Sequence, residues 1–215
     1  MKTTPFWLAL SFAVGIVAWS TGCQSAPAKG MERGEYLFAN YCAPCHTASG
    51  GGKADVAAPA IASLPQWYVQ QQLDNYRNDL RGYHYDDIEG MRMKPMAMTL
   101  MSQEDVALVA EYVSGLAPVQ PAPTLDGDAE NGKTLYGTCA ACHQAEGTGS
   151  DAQHAPPLIN THDWYLFTQL KKFKGGVRGA QSGDQWGATM APMTAGLTDE
   201  QAMKDVVAYI QTLRK

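Results

Sequence analysis

Cys42-Ala43-Pro44-Cys45-His46 and Cys139-Ala140-Ala141-Cys142-His143 are two copies of one pattern, C-x-x-C-H, in a chain of 215 residues. Two thiols at this spacing can add across the two vinyl groups of a haem while the adjacent imidazole reaches the iron. C-x-x-C alone also serves thioredoxin-like redox pairs and half of a zinc site. Those uses do not account for a histidine directly after both pairs, nor for a matching Met-containing segment after each. The motifs therefore predict two covalently bound haem c groups, attached through Cys42, Cys45, Cys139 and Cys142, with His46 and His143 as axial ligands.

The first cysteines lie 139 minus 42, or 97, residues apart, and this offset aligns the halves without a gap from Cys42 to Tyr112 and from Cys139 to Tyr209. About a third of the aligned positions are identical, the mark of an internal duplication. Ala58-Pro59 returns as Ala155-Pro156, Trp67-Tyr68 as Trp164-Tyr165, Gln72-Leu73 as Gln169-Leu170 and Arg81-Gly82 as Arg178-Gly179. Met93-Lys94-Pro95-Met96 returns as Met190-Ala191-Pro192-Met193. Between the copies, Pro118-Val119-Gln120-Pro121-Ala122-Pro123 has the composition of an extended, semi-rigid linker. The expected division is a signal or lipoprotein segment and tether at 1–28, a first domain at 29–117, a linker at 118–124 and a second domain at 125–215.

Val69, Leu73, Tyr76 and Leu80 recur at helical spacing, matched by Leu166, Leu170, Phe173 and Val177, and each stripe is expected to face its own domain's core. A last helix starts in each copy near Ser102 with Asp105, and near Thr198 with Gln201 as a capping box. Its apolar face is Val106, Val109, Ala110 and Val113 in one copy and Met203, Val206, Val207 and Ile210 in the other. Shorter helices precede each haem motif, at 32–40 and 129–137. No stretch shows strand alternation, so the fold class is all-α: two tandem domains with long loops, each wrapping one covalent haem. A half of this size has a limited core, which a buried cofactor extends.

The composition, 45% apolar and 17% charged, suits globular folding. Four of the five cysteines go to haem, which leaves Cys23 in the N-terminal segment. Lys2, an apolar run from Phe6 to Trp19 and then Ser20-Thr21-Gly22-Cys23 describe a secretory signal, and export is what this kind of haem attachment requires in bacteria. Gly22-Cys23 resembles a lipobox, with Ser20 where that pattern has a bulky aliphatic residue. On this reading Cys23 is the lipidated terminus of a membrane-anchored periplasmic protein of a Gram-negative bacterium. Ala26-Pro27-Ala28 is a rival cleavage site that would release a soluble protein, and Thr4 to Gly22 is nearly long enough to stay as an anchor. Cleavage before Cys23 removes Lys2 and leaves a formal charge of 15 minus 21, about −6. That balance argues against nucleic acid or a bare anionic membrane surface as partner and favours a basic patch on another protein.

An iron held by His on one face needs a second ligand or an open position, and Met favours the ferrous state. Met91, Met93, Met96, Met98 and Met101 are the choices in copy one, but only positions 93 and 96 return in copy two, as Met190 and Met193. His84, His154 and His162 have no histidine at the matching positions, so a bis-His site at both irons is disfavoured and these three read as exposed loop residues. Arg81 and Arg178 suit haem propionates, since guanidinium matches carboxylate, or stand as solvated helix ends. Trp67 and Trp164 belong beside the haem or in the core.

With these residues in place the chain resembles the class I cytochromes c, and most closely the two-domain cytochrome c4 family, over nearly all of its length after the N-terminal segment. In that family a methionine precedes the leucine and cap of the last helix as Met93 precedes Leu100 and Met190 precedes Leu197. The resemblance therefore favours Met93 and Met190 as ligands, with Met96 and Met193 as adaptable packing around the haem. It also implies that the Pro59 and Pro156 carbonyls accept from the proximal histidines. Gly34 with Phe38, and Gly132 with Tyr136, would pack against Tyr112 and Tyr209 of the last helix, although copy two has one residue fewer before Cys139.

His and Met on both irons leave no position for a small-molecule substrate. The expected activity is single-electron transfer without catalysis. The resemblance implies a periplasmic shuttle from a quinol-oxidising complex or a dehydrogenase to a terminal oxidase or reductase, with redox proteins as donor and acceptor. Two other classes stay open: an electron-accepting haem subunit bound permanently to a dehydrogenase or respiratory complex, and a dihaem redox enzyme with one labile iron ligand.

Overall fold

The computed structural model describes residues 29–214, so Cys23 and the signal segment lie outside the described residues. The first half contains α1 (Gly30–Leu37), a π-helical turn (Phe38–Cys42), the single turn α2 (Ala43–His46), α3 (Gln66–Arg77), α4 (Ile88–Met98) and α5 (Gln103–Gly115). The second contains α6 (Ala129–His143), α7 (Asp163–Lys174), α8 (Gln185–Met190) with a 3₁₀ turn (Ala191–Thr194), and α9 (Glu200–Thr212). Extended pairing among the described residues is limited to the isolated bridges Lys53–Ala58 and Ser150–Ala155, which close the loop after each haem motif.

In each half the helix that leads into the haem motif crosses the last helix at a glycine. A Cβ on Gly34 would meet the Leu108 carbonyl oxygen at 2.5 Å, and one on Gly132 would meet that of Asp205 at 1.9 Å. Only glycine lets the two backbones come this close. One turn on, Phe38 packs against Tyr112 with ring centroids 5.1 Å apart, and Tyr136 against Tyr209 at 5.3 Å. The extra residue of copy one is absorbed by the π-helical turn Phe38–Cys42, which adds one residue to a helical turn without breaking the helix. Glycine, aromatic and haem cysteines thus keep the same relative places in both halves.

The cores form largely as the apolar periods predict, but Phe173 and Val177 of the expected stripe lie outside the second core, Val177 beyond the end of α7 at Lys174. Val69, Leu73 and Tyr76 of α3 bury against Val106, Val109 and Val113 of α5 with Leu37, Phe38 and Leu100. In the second half Leu166, Met203, Val206, Val207 and Ile210 gather around Tyr136 and Leu197. Leu80 departs from its expected stripe: α3 ends at Arg77, and Leu80 instead faces Gly183 of the second half, where an added Cβ would lie 2.9 Å from Leu80 Cδ2. Ser102 caps α5 by accepting from the Asp105 N–H at 3.1 Å. The cap of α9 is Asp199 rather than Thr198, accepting from the Ala202 N–H at 2.8 Å, while Gln201 donates to Asp205. Asp199 is the residue that the repeat offset places opposite Ser102.

The methionine segments, to which the sequence patterns assign no helix, are helical in α4 and α8. Asp87 caps α4 and Asp184 caps α8, supplying a start signal that the scattered methionines of these segments obscure. The linker lies against the second half. The buried Asp163 carboxylate accepts from the Thr124 and Leu125 N–H groups and from the Thr124 hydroxyl, and Arg214 donates to the carbonyls of Pro121, Ile159 and Thr161. Burial pushes the Asp163 carboxyl up, but the backbone donors of Thr124, Leu125 and Trp164 outweigh it, and the net shift is downward.

Three substitutions test this frame by denaturant unfolding. Gly132→Ala destabilises the protein by at least about 1–3 kcal/mol, the usual cost of overpacking, whereas Gly137→Ala, whose Cβ would meet nothing within 4 Å, does not. The lowered pKa of Asp163 means its stabilisation is present at neutral pH and is lost as pH falls through the folded-state value. Asp163→Asn should therefore cost about 1–3 kcal/mol at neutral pH and reduce the slope of stability against pH in the acid range.

Candidate functional site

His46 ends α2 and His143 ends α6, both buried, and each is followed by a residue in the left-handed region, Thr47 and Gln144, both at φ 66°. The reversal turns the chain back so that a proline carbonyl reaches the imidazole. His46 Nδ1 lies 2.8 Å from the Pro59 oxygen and His143 Nδ1 lies 2.8 Å from that of Pro156. A carbonyl can only accept, so the proton sits on Nδ1 and Nε2 keeps the lone pair a metal needs. Burial lowers both imidazole pKa values against the opposing pull of these bonds, which keeps the rings neutral.

The four motif cysteines are unpaired. Burial, and then the neighbouring Cys45, push the Cys42 thiol up to about 12, and burial raises Cys139. Thioredoxin-like and zinc-binding cysteines need stabilised thiolates, and these surroundings oppose them.

In the second half Cys139, Cys142, His143 and Pro156 open on a cavity of about 190 Å³ lined by Leu158, Leu166, Phe173, Val206, Ile210, Met190 and Met193. It continues to Pro59, Ala60, Leu64, Tyr68 and Gln72 of the first half. Met93 packs, partly buried, against the first core. Met96 and Met193 are 36% and 47% exposed, and Met91, Met98 and Met101 are exposed as well.

Arg81 and Arg178 are not solvated helix ends: they are 3% and 7% exposed and meet between the two halves. Arg81 donates to Gln72 of its own half at 2.8 Å and to Gln169 of the other at 3.2 Å. Arg178 donates to Gln169 and to Gln72, both at 2.9 Å. Each glutamine oxygen therefore accepts from both arginines. The guanidiniums lie over the Tyr76 and Phe173 rings, each 4.5 Å from the ring centroid.

Both arginines and the repeated glutamines are visible in the sequence, but nothing in one repeat shows that it pairs with the other. The contacts around them are equally hidden there. His162 Nδ1 accepts from the Ala60 N–H at 3.0 Å, so this histidine is an interface residue rather than a solvated one. Thr161 donates to the Ala60 carbonyl, and Trp67 Nε1 donates across to Asp151 at 2.7 Å. His154 is exposed as expected but stacks on Trp186, with centroids 4.0 Å apart.

These surroundings fit a haem. Two buried guanidiniums held by neutral partners, each with an unpartnered Nε, suit carboxylates, and the buried Trp164 Nε1 is a third unpartnered donor. An apolar cavity entered by two thiols and a neutral imidazole suits the porphyrin face.

The Cytochrome c family model matches residues 31–117 and 129–214, one match for each half. The chain belongs to the cytochrome c family. It is similar to cytochrome c-552 of Acidithiobacillus ferridurans, with 26% identity over 99% of this chain and 88% of the relative. It is also similar to the thiosulfate dehydrogenase electron acceptor of Stutzerimonas stutzeri, with 29% identity over 80% of this chain and 83% of the other. The crystal structure of reduced cytochrome c4 from Pseudomonas stutzeri superposes with a TM-score of 0.65 at 25% identity, covering 86% of this chain and 98% of that one. Against the longer CcoP and FixP oxidase subunits that it also matches, the cytochrome spans 36% and 58% of their length. The two C-x-x-C-H segments of this cytochrome carry two covalent haem c groups.

Removing both thiols of one motif should remove one cofactor. The double variant Cys139→Ala with Cys142→Ala should retain one haem per chain after acid–organic extraction, against two in the unaltered cytochrome, as read by absorbance of the denatured protein and by mass.

Proposed function

We infer that this cytochrome carries single electrons in the periplasm, from a quinol-oxidising complex or a dehydrogenase to a terminal oxidase or reductase, and catalyses no reaction of its own. The observation that supports this reading best is the likeness of the two sites: each has a buried histidine bonded to a proline carbonyl and a partly buried methionine, Met93 against the first core and Met190 on the wall of the second cavity. Met96 and Met193 stand at more exposed positions of the same segments, better suited to covering the haem edge.

A haem at each site supplies a reversible ferric–ferrous couple. The residues do the rest. The Pro59 and Pro156 carbonyls fix the imidazole planes, the apolar walls of the second cavity would keep water from a metal, and the thioethers of Met93 and Met190 would be the ligands that favour its reduced state. Arg81 and Arg178 would hold the propionates and offset their charge where the two halves meet. With a histidine and a methionine both held to each iron, an electron would pass without bond making, and no substrate would need to enter. Lipidation of Cys23 would confine this traffic to a membrane surface.

A second reading has one observation in its favour: the Stutzerimonas stutzeri relative, matched along most of both chains, is named as the electron acceptor of a dehydrogenase. On that reading the cytochrome works as a dedicated partner of one enzyme, and it would copurify with that enzyme rather than exchange freely.

Single substitutions test the ligand set. Met93→Ala and Met190→Ala should each abolish about half of the long-wavelength sulfur-to-iron charge-transfer band of the ferric protein and lower the potential of one haem only. Met96→Ala and Met193→Ala should keep the band. Loss of the band in the latter pair would move the ligands to those positions.

A further inference from the structure

The carboxylates that cap the two methionine helices are held from the opposite half. Asp87 accepts from the Gly90 N–H, in the first turn of α4, and from the Gly82 N–H, both at 3.1 Å. Its Oδ1 also takes a hydrogen bond from Lys172 Nζ of α7 at 2.5 Å, and the same ammonium reaches Glu89 Oε2 at 2.6 Å. Asp184 accepts from the Gly187 N–H of α8 at 3.0 Å and from Asn75 Nδ2 of α3 at 3.2 Å. Adding 97 to 75 and to 87 gives 172 and 184, so the two arrangements are the same contact made twice, once in each direction.

All four residues are buried. The caps are also sterically closed: a Cβ on Gly90 would lie 2.0 Å from Asp87 Oδ2, and one on Gly187 would lie 2.1 Å from Asp184 Oδ2. A carboxylate fitted this tightly cannot move without moving the first turn of its helix. Met93 and Met190 both lie six residues beyond their caps, about 9 Å along a helix. A displaced cap is thereby transmitted to the thioether.

The two contacts differ in charge. Lys172 stands against Asp87 and Glu89, whereas the neutral Asn75 stands against Asp184, whose Oδ2 is buried without a partner. At position 186 a tryptophan replaces Glu89, so each cluster keeps a net formal charge of −1: two carboxylates and one ammonium in the first, one carboxylate in the second. Arg81 also lies in the field of Asp87.

We propose that Lys172 and Asn75 are positioning residues for the haem of the opposite half. Each holds the carboxylate that starts the other half's methionine helix, so docking of the halves sets the axial methionine at both irons. This rests on Met93 and Met190 as the ligands. An intact interface is then a condition for a normal potential at each haem, and loosening one contact is felt across the interface rather than beside it. Charge adds to position, since loss of the Lys172 ammonium leaves two carboxylates near the first haem, which stabilises the ferric form and lowers the potential.

The test uses the full-length protein with both haems. Ferric haem methyl resonances, assigned to each haem with the Met93→Ala and Met190→Ala proteins, are followed through a redox titration of Lys172→Gln, Lys172→Arg and Asn75→Ala. Lys172→Gln keeps a donor of similar length and should lower the first haem's potential more than the second's, and Lys172→Arg should restore it. Asn75→Ala should lower the potential of the second haem and weaken its charge-transfer band, leaving the first unchanged. Effects confined to the haem of the substituted half, or no change in either, would overturn the proposal. A wild-type protein that lacks one sulfur-to-iron band would instead overturn the ligand assignment beneath it.

Discussion

Two buried arginines that share the same two neutral glutamine oxygens are the constraint on which the rest of this molecule depends. A guanidinium removed from water costs several kcal/mol unless its donors are satisfied. Here each of two glutamine oxygens accepts from both arginines, and an aromatic ring covers each guanidinium. The arrangement needs residues from both halves, so neither half can satisfy its own arginine alone. It fixes the distance between the halves, joins the second haem cavity to the first half, and brings α3 and α7 within reach of the opposite helix caps. The charge left over is of the sign that haem propionates would neutralise.

Much of this was legible in the sequence because the strongest signals are local. The C-x-x-C-H motifs, the apolar faces of α3, α5, α7 and α9, and the duplicated Met-x-Pro-Met segment all speak within a few residues, and haem attachment and the helical class follow from them. The crossing glycines were readable as well, and the missing residue before Cys139 has a simple physical counterpart in the π-helical turn of copy one. The proline carbonyls stand where the family resemblance placed them.

What stayed hidden is the relation between the copies. A repeated polar residue such as Gln72/Gln169 or Asp87/Asp184 looks the same whether it faces water or its own duplicate. Only the docked structure shows that Arg81, the counterpart of Arg178, also bonds to the counterpart of its own glutamine, and that Leu80 and His162 leave their expected surroundings for the interface. The α4 and α8 helices escaped for a different reason: their methionines carry no apolar period, and their start depends on carboxylates held from the other half. The duplicated sequence has diverged within that scheme, with Asn75 opposite Lys172 and Glu89 opposite Trp186, so two sites of one design meet different electrostatic surroundings.

On the proposed ligand set, His46 with Met93 and His143 with Met190, both irons would be closed to added ligands. Exposure of the fully reduced, full-length protein to carbon monoxide at neutral pH tests it most directly. The visible and Soret spectra should remain those of the reduced protein, with two electrons recovered per chain on reoxidation. Formation of a carbon monoxide adduct at one haem would show a labile ligand there and replace the carrier with a dihaem enzyme.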